Sequence, residues 1–241
     1  MVYTTFATPW ERVRVKCILR TLKEAIKYGY DVVLVDGGSP PEFIEEMEAL
    51  GIRVHRQRTP GMGNGCRETL RLAQEIANDG QTIVWIEPEK YPLVSKLGPA
   101  VRKFEDERLD LLLLKRTSLD SYPPEQAMAY QMIALATKYL TGIDSDFGWG
   151  PMILSKRAIN YFLAYKRDYG DLWDSIHCPK LAIINDSLPW GIMPVDYAHP
   201  PEQTAAETGI ELLPKRIRQM DQLVGAITGE VDRLHMRKES I

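Results

Sequence analysis

The chain has 241 residues, a formal net charge of -3, and hydrophobic and charged fractions of 44% and 26%, which are ordinary for a globular protein. A slightly acidic chain without a basic stripe is not expected to bind nucleic acid. The longest apolar runs, such as 111–114, are far shorter than the roughly 20 residues of a membrane-spanning helix, so no transmembrane segment is expected. Three widely separated cysteines without metal spacing indicate reduced thiols and predict a cytoplasmic protein.

Strand and helix patterns alternate through the first half of the chain. Short apolar or β-branched runs predict strands at 2–7, 31–36, 52–55, 81–86 and 109–114. Apolar residues at helical spacing predict helices at 11–28, 40–50 and 96–107, and one that opens in the glycine cluster 61–65 and ends at 77. This alternation predicts an α/β fold with a mainly parallel central sheet, right-handed crossovers and helices on both faces.

The pattern changes in the second half. Helices are predicted at 125–140 and at 155–165, the latter with Ser155 as cap, and one or two helices over 212–235, interrupted near Gly225 and Gly229. Strands are predicted at 180–184 and 190–197. The segment 144–151 is a loop rich in glycine and aromatic residues. We interpret 1–117 as a nucleotide-binding half and 118–241 as an acceptor-binding half with C-terminal helices, together one compact domain.

Two of the predicted strands end on carboxylates. Asp36 ends the second strand, and the fourth continues into the triplet Glu87-Pro-Glu89. Ligands of open α/β sheets bind outside the carboxyl ends of the strands, so these acids are candidates for one site. Because carboxylates repel phosphates unless a cation lies between them, the pattern predicts a nucleoside-diphosphate site built around a divalent metal.

A glycine cluster, Gly61-Met-Gly63-Asn-Gly65, opens the third helix. It is neither a P-loop nor a dinucleotide fingerprint, because no Gly-Lys-Ser/Thr follows and the last required glycine is a cysteine. Arg67 follows in the first turn, where a cation is unfavourable against the helix dipole unless an anion offsets it. Arg67 is therefore a phosphate-binding candidate, although with Arg71 it also fits a solvated pair on one helix face.

The order of these motifs resembles a known family. A strand ending in Val-Asp36-Gly-Gly-Ser-Pro, the stretch 61–67 opening a helix, and an acidic triplet after the next strand resemble nucleotide-sugar glycosyltransferases of the GT-A fold. Within these, the chain is most similar to the family 2 group that includes polyprenyl-phosphate mannosyltransferases and the glucosyl-phosphoglycerate and mannosylglycerate synthases. The resemblance covers about the first 120 residues, and the loop 144–150 resembles the acceptor-side loop of the family more weakly.

The resemblance implies a GT-A-type Rossmann-like sandwich, a divalent cation (Mg²⁺ or Mn²⁺) and a set of site residues. The implied metal ligands are Glu87, Glu89 and His199. The implied nucleotide-binding residues are Thr8, Pro9, Asp36, Gly37, Gly63 and Arg67. The implied catalytic or acceptor-contacting residues are Asp144 and Asp146, the latter as general base for a hydroxyl acceptor. The triplet departs from the family pattern, because Glu-Pro-Glu stands where the family has Asp-x-Asp.

Each candidate also has an ordinary structural interpretation. Asp36 before two glycines could cap a turn. Glu87 and Glu89 could be solvated loop charges, and a histidine in a polar loop, such as His199, is more often a surface residue. Trp149 between two glycines could stack on a sugar or fill the core.

The expected function is transfer of a sugar from a nucleoside-diphosphate sugar to a small-molecule or lipid-phosphate acceptor. A non-catalytic glycosyltransferase-like domain that binds a nucleotide or a partner is the main alternative, supported by the altered triplet. A sugar nucleotidyltransferase is disfavoured, because 7–10 is Ala-Thr-Pro-Trp rather than a glycine-rich loop with a basic residue. If the triplet binds no metal, Lys90, Arg67 and the pair at 115–116 are the alternative charge partners of the phosphates. The donor sugar and the oligomeric state stay open, with a homo-oligomer among the alternatives.

Overall fold

The computed structural model describes residues 2–5, 12–78 and 80–236, so the predicted contacts of Thr8 and Pro9 lie outside the described residues. The strands of this part of the chain are β1 (Val2–Thr5), β2 (Val33–Asp36), β3 (Val54–Arg56), β4 (Ile83–Trp85), β5 (Leu111–Arg116), β6 (Met152–Leu154) and β7 (Trp190–Val195). The helices are α1 (Arg12–Lys27), α2 (Pro41–Glu48), α3 (Met62–Ile76), α4 (Tyr91–Val94), α5 (Leu97–Asp106), α6 (Pro124–Thr141), α7 (Lys156–Ala164), α8 (Asp174–Asn185), α9 (Pro201–Glu207) and α10 (Leu213–Arg233).

The strands form one sheet in the order β3-β2-β1-β4-β6-β5-β7. Neighbouring strands are parallel except at β6, which pairs antiparallel with β4 and β5. The ends of β1 and β2 are level, with Thr5 opposite Asp36, and so are those of β5 and β7, with Arg116 opposite Val195. The carboxyl ends of all the strands except β6 therefore lie at one edge of the sheet.

Alternating strand residues divide the core between the two faces of the sheet. On β5, Leu112 and Leu114 belong to the core that α1, α2, α4 and α5 cover. Leu111 and Leu113 belong to the core that α3, α7, α8 and α10 cover. Helices on both faces of a mainly parallel sheet confirm the predicted α/β sandwich.

Local sequence explains several helix boundaries. The hydroxyl of Ser155 caps α7, as predicted, by accepting a hydrogen bond from the amide of Ala158 at 3.1 Å. Gly142, at a φ of 76°, ends α6 in the left-handed conformation that glycine adopts without a steric penalty. No helix of the described residues combines the length and the apolar character needed to span a bilayer.

The predicted strand at 180–184 is wrong, because these residues lie in α8. Nearly every side chain of α8 from Asp174 to Ile183 is buried, so the helix shows no amphipathic period, and a short apolar run of this kind cannot be told from a buried strand. Strand β6 and helices α4 and α9 were not predicted. They have three, four and seven residues, too few for a clear periodic pattern.

Candidate functional site

A cavity of about 640 Å³ opens at the carboxyl edge of the sheet. The ends of β2, β3 and β4 contribute Gly37, Gln57 and Trp85 to its wall, and α6 and α10 contribute Tyr130 and Lys215. This is the crevice in which open α/β sheets bind ligands, and the volume lies in the usual range of about 300–1,000 Å³ for ligand pockets.

The acidic triplet lies on this cavity, directly after β4. Glu87, Glu89 and Lys90 all line the wall, and Glu89 is only 6% exposed. The guanidinium of Arg14 lies 3.5 Å from Glu89 Oε1, and Lys90 Nζ lies 3.9 Å from Glu87 Oε1. The Oε2 atom of each glutamate is buried without a hydrogen-bond partner among the described residues. Buried carboxylate oxygens are normally satisfied, so this pair indicates a wall built to receive a polar ligand.

Burial and neighbouring charges shift the pKa values of the triplet in different directions. Burial raises the pKa of Glu87, against the opposing effect of Lys90. Burial also disfavours a charged Glu89, but Arg14 and Lys90 outweigh it and lower the pKa of Glu89. Burial likewise disfavours a charged Lys90, but Glu87 and the surrounding tyrosines raise the Lys90 pKa well above its usual value. A charged glutamate and a charged lysine therefore face the cavity side by side.

His199 lines the same cavity and is 2% exposed, so the surface interpretation of this residue is wrong. Its ring stacks on Tyr122 with the centroids 4.2 Å apart. Neither ring nitrogen has a hydrogen-bond partner among the described residues. Burial, assisted by the charge of Lys90, lowers the pKa of His199 to about 3. The imidazole is therefore neutral at physiological pH, the form that binds metals.

The three residues proposed as metal ligands, Glu87, Glu89 and His199, thus share one cavity. They do not form a ready-made centre, because nowhere in the described chain do three His, Cys, Asp or Glu side chains come together closely enough to hold a metal ion. Mg²⁺, however, commonly uses one or two carboxylates and takes its other ligands from phosphates and water. The unpartnered oxygens and the neutral imidazole fit a divalent cation that binds together with a phosphorylated ligand.

Asp36 lies behind the cavity wall and is 1% exposed. Its carboxylate accepts hydrogen bonds from the amide of Gly38 at 2.9 Å and from the amide of Ser39 at 3.0 and 3.2 Å. Asp36 therefore caps the turn, as in its ordinary structural interpretation, and holds the loop that brings Gly37 to the cavity. Contact of Asp36 with a base or a ribose stays a prediction.

The guanidinium of Arg67 is buried and paired within the chain. It donates to both carboxylate oxygens of Asp171 at 2.6 Å and to Asn64 Oδ1 at 2.9 Å. The solvated-pair interpretation is wrong. Helix α3 begins at Met62, so Arg67 lies in its second turn rather than in the predicted first turn, and the anion that offsets its charge is Asp171. The amide of Gly63 donates to the backbone oxygen of Asp171 at 3.1 Å. Neither Gly63 nor Arg67 is among the described residues of the cavity wall, and their contacts with a diphosphate stay predictions.

Asp146 is bound by Arg116, the last residue of β5. Arg116 Nη2 donates to Oδ1 of Asp146 at 2.8 Å, and Arg116 Nε donates to Oδ2. The guanidinium also lies over the rings of Tyr130 and Tyr122, 4.0 and 4.6 Å from their centroids. Asp146 therefore fixes a buried cation behind the cavity.

Asp144 lies on the exposed surface. Its carboxylate accepts hydrogen bonds of 3.1 Å from Lys115 and Lys138, which lower its pKa. Neither Asp144 nor Asp146 is among the described residues that line the cavity, and catalytic roles for both stay predictions.

Several polar residues of the cavity wall were not predicted. They are Arg14, Gln57, Gln126, Gln203, Glu207, Lys215, Arg216 and Gln219. Most lie on helices, where a polar side chain toward a cavity gives the same sequence pattern as one toward solvent. We find no signal in the sequence that distinguishes them.

The sequence matches no protein-family model and no curated protein, but the fold matches solved structures. Glucosyl-3-phosphoglycerate synthase from Mycobacterium tuberculosis, in complex with phosphoglyceric acid, is 13% identical with a TM-score of 0.62, over 99% of this chain and 81% of that chain. The same synthase with Mn²⁺, UDP-glucose and phosphoglyceric acid has a TM-score of 0.59 at the same identity and coverage. Mannosyl-3-phosphoglycerate synthase from Rubrobacter xylanophilus is 11% identical with a TM-score of 0.64, over 99% of this chain and 75% of that chain. The chain therefore has the GT-A-type fold of these synthases, as its motifs predicted.

Proposed function

We propose that the chain is a glycosyltransferase that moves a sugar from a nucleoside-diphosphate sugar to an acceptor oxygen. The observation that carries this proposal is the placement of the acidic triplet. Glu87 and Glu89, each with a buried carboxylate oxygen that has no hydrogen-bond partner among the described residues, face a cavity at the carboxyl edge of a GT-A-type sheet. A ligand bound there would meet hydrogen-bond acceptors, a charged lysine and a neutral histidine in one place.

The donor would lie along the sheet edge. The M. tuberculosis synthase of this fold binds UDP-glucose, which supports a nucleoside-diphosphate sugar as the donor class. The base and ribose would lie beside Gly37 and Gln57, with Thr8 and Pro9 near the base, and the diphosphate beside the triplet. Asp36 would act by holding its loop in shape or by direct contact with the nucleotide.

A divalent cation would be held by Glu87 and Glu89, with His199 as a further ligand. When bound, it would supply positive charge that offsets the repulsion between the carboxylates and the diphosphate and stabilises the leaving group. The M. tuberculosis synthase complex with UDP-glucose contains Mn²⁺, which supports this assignment.

In the reaction, the bond between the anomeric carbon and the β-phosphate oxygen breaks, and its electron pair stays on the diphosphate. A new bond forms between the anomeric carbon and the acceptor oxygen, whose proton passes to a base or to water. Asp146 would act as that base only after release from Arg116, and an ionised acceptor needs none. Protein cations near the diphosphate would lower the barrier by stabilising its developing charge.

The acceptor would enter beside α10. Lys215 of this helix lines the cavity and favours an acceptor that carries a negative charge, whereas the neighbouring Arg216 is paired with Glu207 at 2.7 Å. The neighbouring synthase has been solved with phosphoglyceric acid and with glycerol 3-phosphate, which supports a small phosphorylated acceptor over a lipid phosphate.

Calorimetric titration of UDP, GDP and ADP, each in Mn²⁺ and in EDTA, tests this function. We expect one base type to bind, with an affinity that Mn²⁺ increases. Glu89→Gln should bind at least as well as wild type in EDTA and lose most of the gain from Mn²⁺. Glu75→Gln, at an exposed position of α3, is the matched control and should behave as wild type. Failure of all three nucleotides to bind in either condition would overturn the proposal.

A further inference from the structure

The lysine that follows the acidic triplet is buried against the cavity. Lys90 is 3% exposed, and its backbone amide donates to the carbonyl of Glu87 at 3.1 Å, so the turn holds the side chain next to the triplet. Glu87, Glu89 and His199 line the same cavity. A flexible surface lysine would not be held in this way.

In the described part of the chain, the ammonium of Lys90 makes no hydrogen bond, and its contacts with Glu87 and Tyr197 are long. Glu87 Oε1, the nearest ion-pair atom, is 3.9 Å away, beyond the roughly 3.2 Å limit of a good N–H···O hydrogen bond. The ring of Tyr197 is also at a distance, with its centroid 5.9 Å from Nζ. An ammonium has three donors, so donors of Lys90 are free to bind an anion in the cavity.

We propose that Lys90 binds the diphosphate of the donor directly, its ammonium donating to the phosphate oxygens. This inference rests on the proposed function and adds to it a cation supplied by the chain itself beside the acidic triplet. The diphosphate would then keep measurable affinity for the site without metal. The competing interpretation is that Lys90 only neutralises Glu87. A lysine with that role alone would be expected to form a short hydrogen-bonded ion pair, and the 3.9 Å separation does not fit it.

A charge-matched double variant separates these interpretations. Lys90→Met alone leaves Glu87 without a counter-charge. Under either interpretation, the unpaired Glu87 would then repel a diphosphate. Glu87→Gln/Lys90→Met removes both charges and keeps the net charge of wild type. Lys96→Met, at an exposed lysine six positions along the chain, controls for the loss of one positive charge.

Inorganic pyrophosphate and the tightest-binding of UDP, GDP and ADP are titrated in EDTA into wild type and the three variants. We expect both variants that lack Lys90 to bind both probes about 10- to 100-fold more weakly than wild type, because they lose a hydrogen bond between charged groups. The affinity of Lys96→Met should be unchanged. Thermal unfolding of each variant verifies that it is folded. If Lys90→Met does not fold, the double variant carries the test, because it leaves no unpaired buried carboxylate at position 87.

Wild-type affinity in the folded double variant would overturn the role of Lys90 and leave the proposed function standing. If neither probe binds wild type even with Mn²⁺, the proposed function and the role of Lys90 both fail. A loss confined to Lys90→Met and restored in the double variant would mean that Lys90 only neutralises Glu87.

Discussion

Arg67 and Asp171 form a bidentate ion pair between residues 104 positions apart, with both nitrogen–oxygen distances at 2.6 Å. The pair joins the second turn of α3, near the edge of the cavity, to the loop that precedes α8. Gly63 permits this approach, because a Cβ atom at that position would lie 2.1 Å from Asp171 Oδ1 and 2.8 Å from its backbone oxygen. Within the glycine cluster, Gly63 therefore allows Asp171 to approach Arg67.

Gly63→Ala should displace Asp171 and break the pair. Since leaving one member of a buried ion pair without its partner costs about 3–5 kcal/mol, and relaxation of the loop recovers part of this, we expect the free energy of unfolding to fall by about 2–4 kcal/mol. Urea unfolding measures this loss.

The control is Gly225→Ala within α10, where an added Cβ meets nothing within 4 Å. Alanine is the better helix former, so this variant should be neutral or up to about 1 kcal/mol more stable. If Gly63→Ala behaves in the same way, the pair does not depend on the glycine.

The positions of the acids at the sheet edge could be predicted, because short apolar runs that end at Asp36 and just before Glu87 belong to parallel strands, whose ends meet at one edge. The partners of the charged residues could not be predicted. Asp171 is far from Arg67 in sequence, and Arg116 pairs with Asp146, which is 30 positions away. No local sequence pattern reveals such pairs. The strand prediction for 180–184 was wrong for a related reason. A helix that is buried on almost every side has no hydrophobic period that marks it as a helix.

We expect Lys180, in α8, to make the stability of the protein depend on pH. The side chain is buried, and Nζ donates to the carbonyl of Trp149 at 3.0 Å and lies 3.1 Å from His177 Nδ1. Burial lowers the pKa of Lys180 from 10.5 to about 7, although the charge of Glu87 opposes the shift. Between these pH values the unfolded chain binds more protons than the folded chain, so stability rises with pH.

The expected contribution of Lys180 is up to about 1.4 kcal/mol per pH unit between pH 7 and 10.5, and none well below pH 7, where the lysine is protonated in both states. Urea unfolding of wild type and Lys180→Met at pH 6, 7 and 8.5 measures it. The free energy of unfolding of wild type should increase relative to that of the variant as the pH rises from 7 to 8.5. A constant difference between the two proteins across this range would show that Lys180 keeps its ordinary pKa in the fold.

Turnover is the most direct test of the proposed transferase. The protein is incubated with Mn²⁺, with UDP-glucose or GDP-mannose as donor, and with phosphoglyceric acid or glycerol 3-phosphate as acceptor. The products are separated and identified by mass spectrometry. We expect at least one combination to give a hexosylated acceptor together with an equal amount of nucleoside diphosphate, and neither product when the acceptor is left out. A folded protein that binds a nucleoside diphosphate yet forms no glycosylated product with any donor and acceptor would contradict the transferase assignment and favour a non-catalytic nucleotide-binding domain.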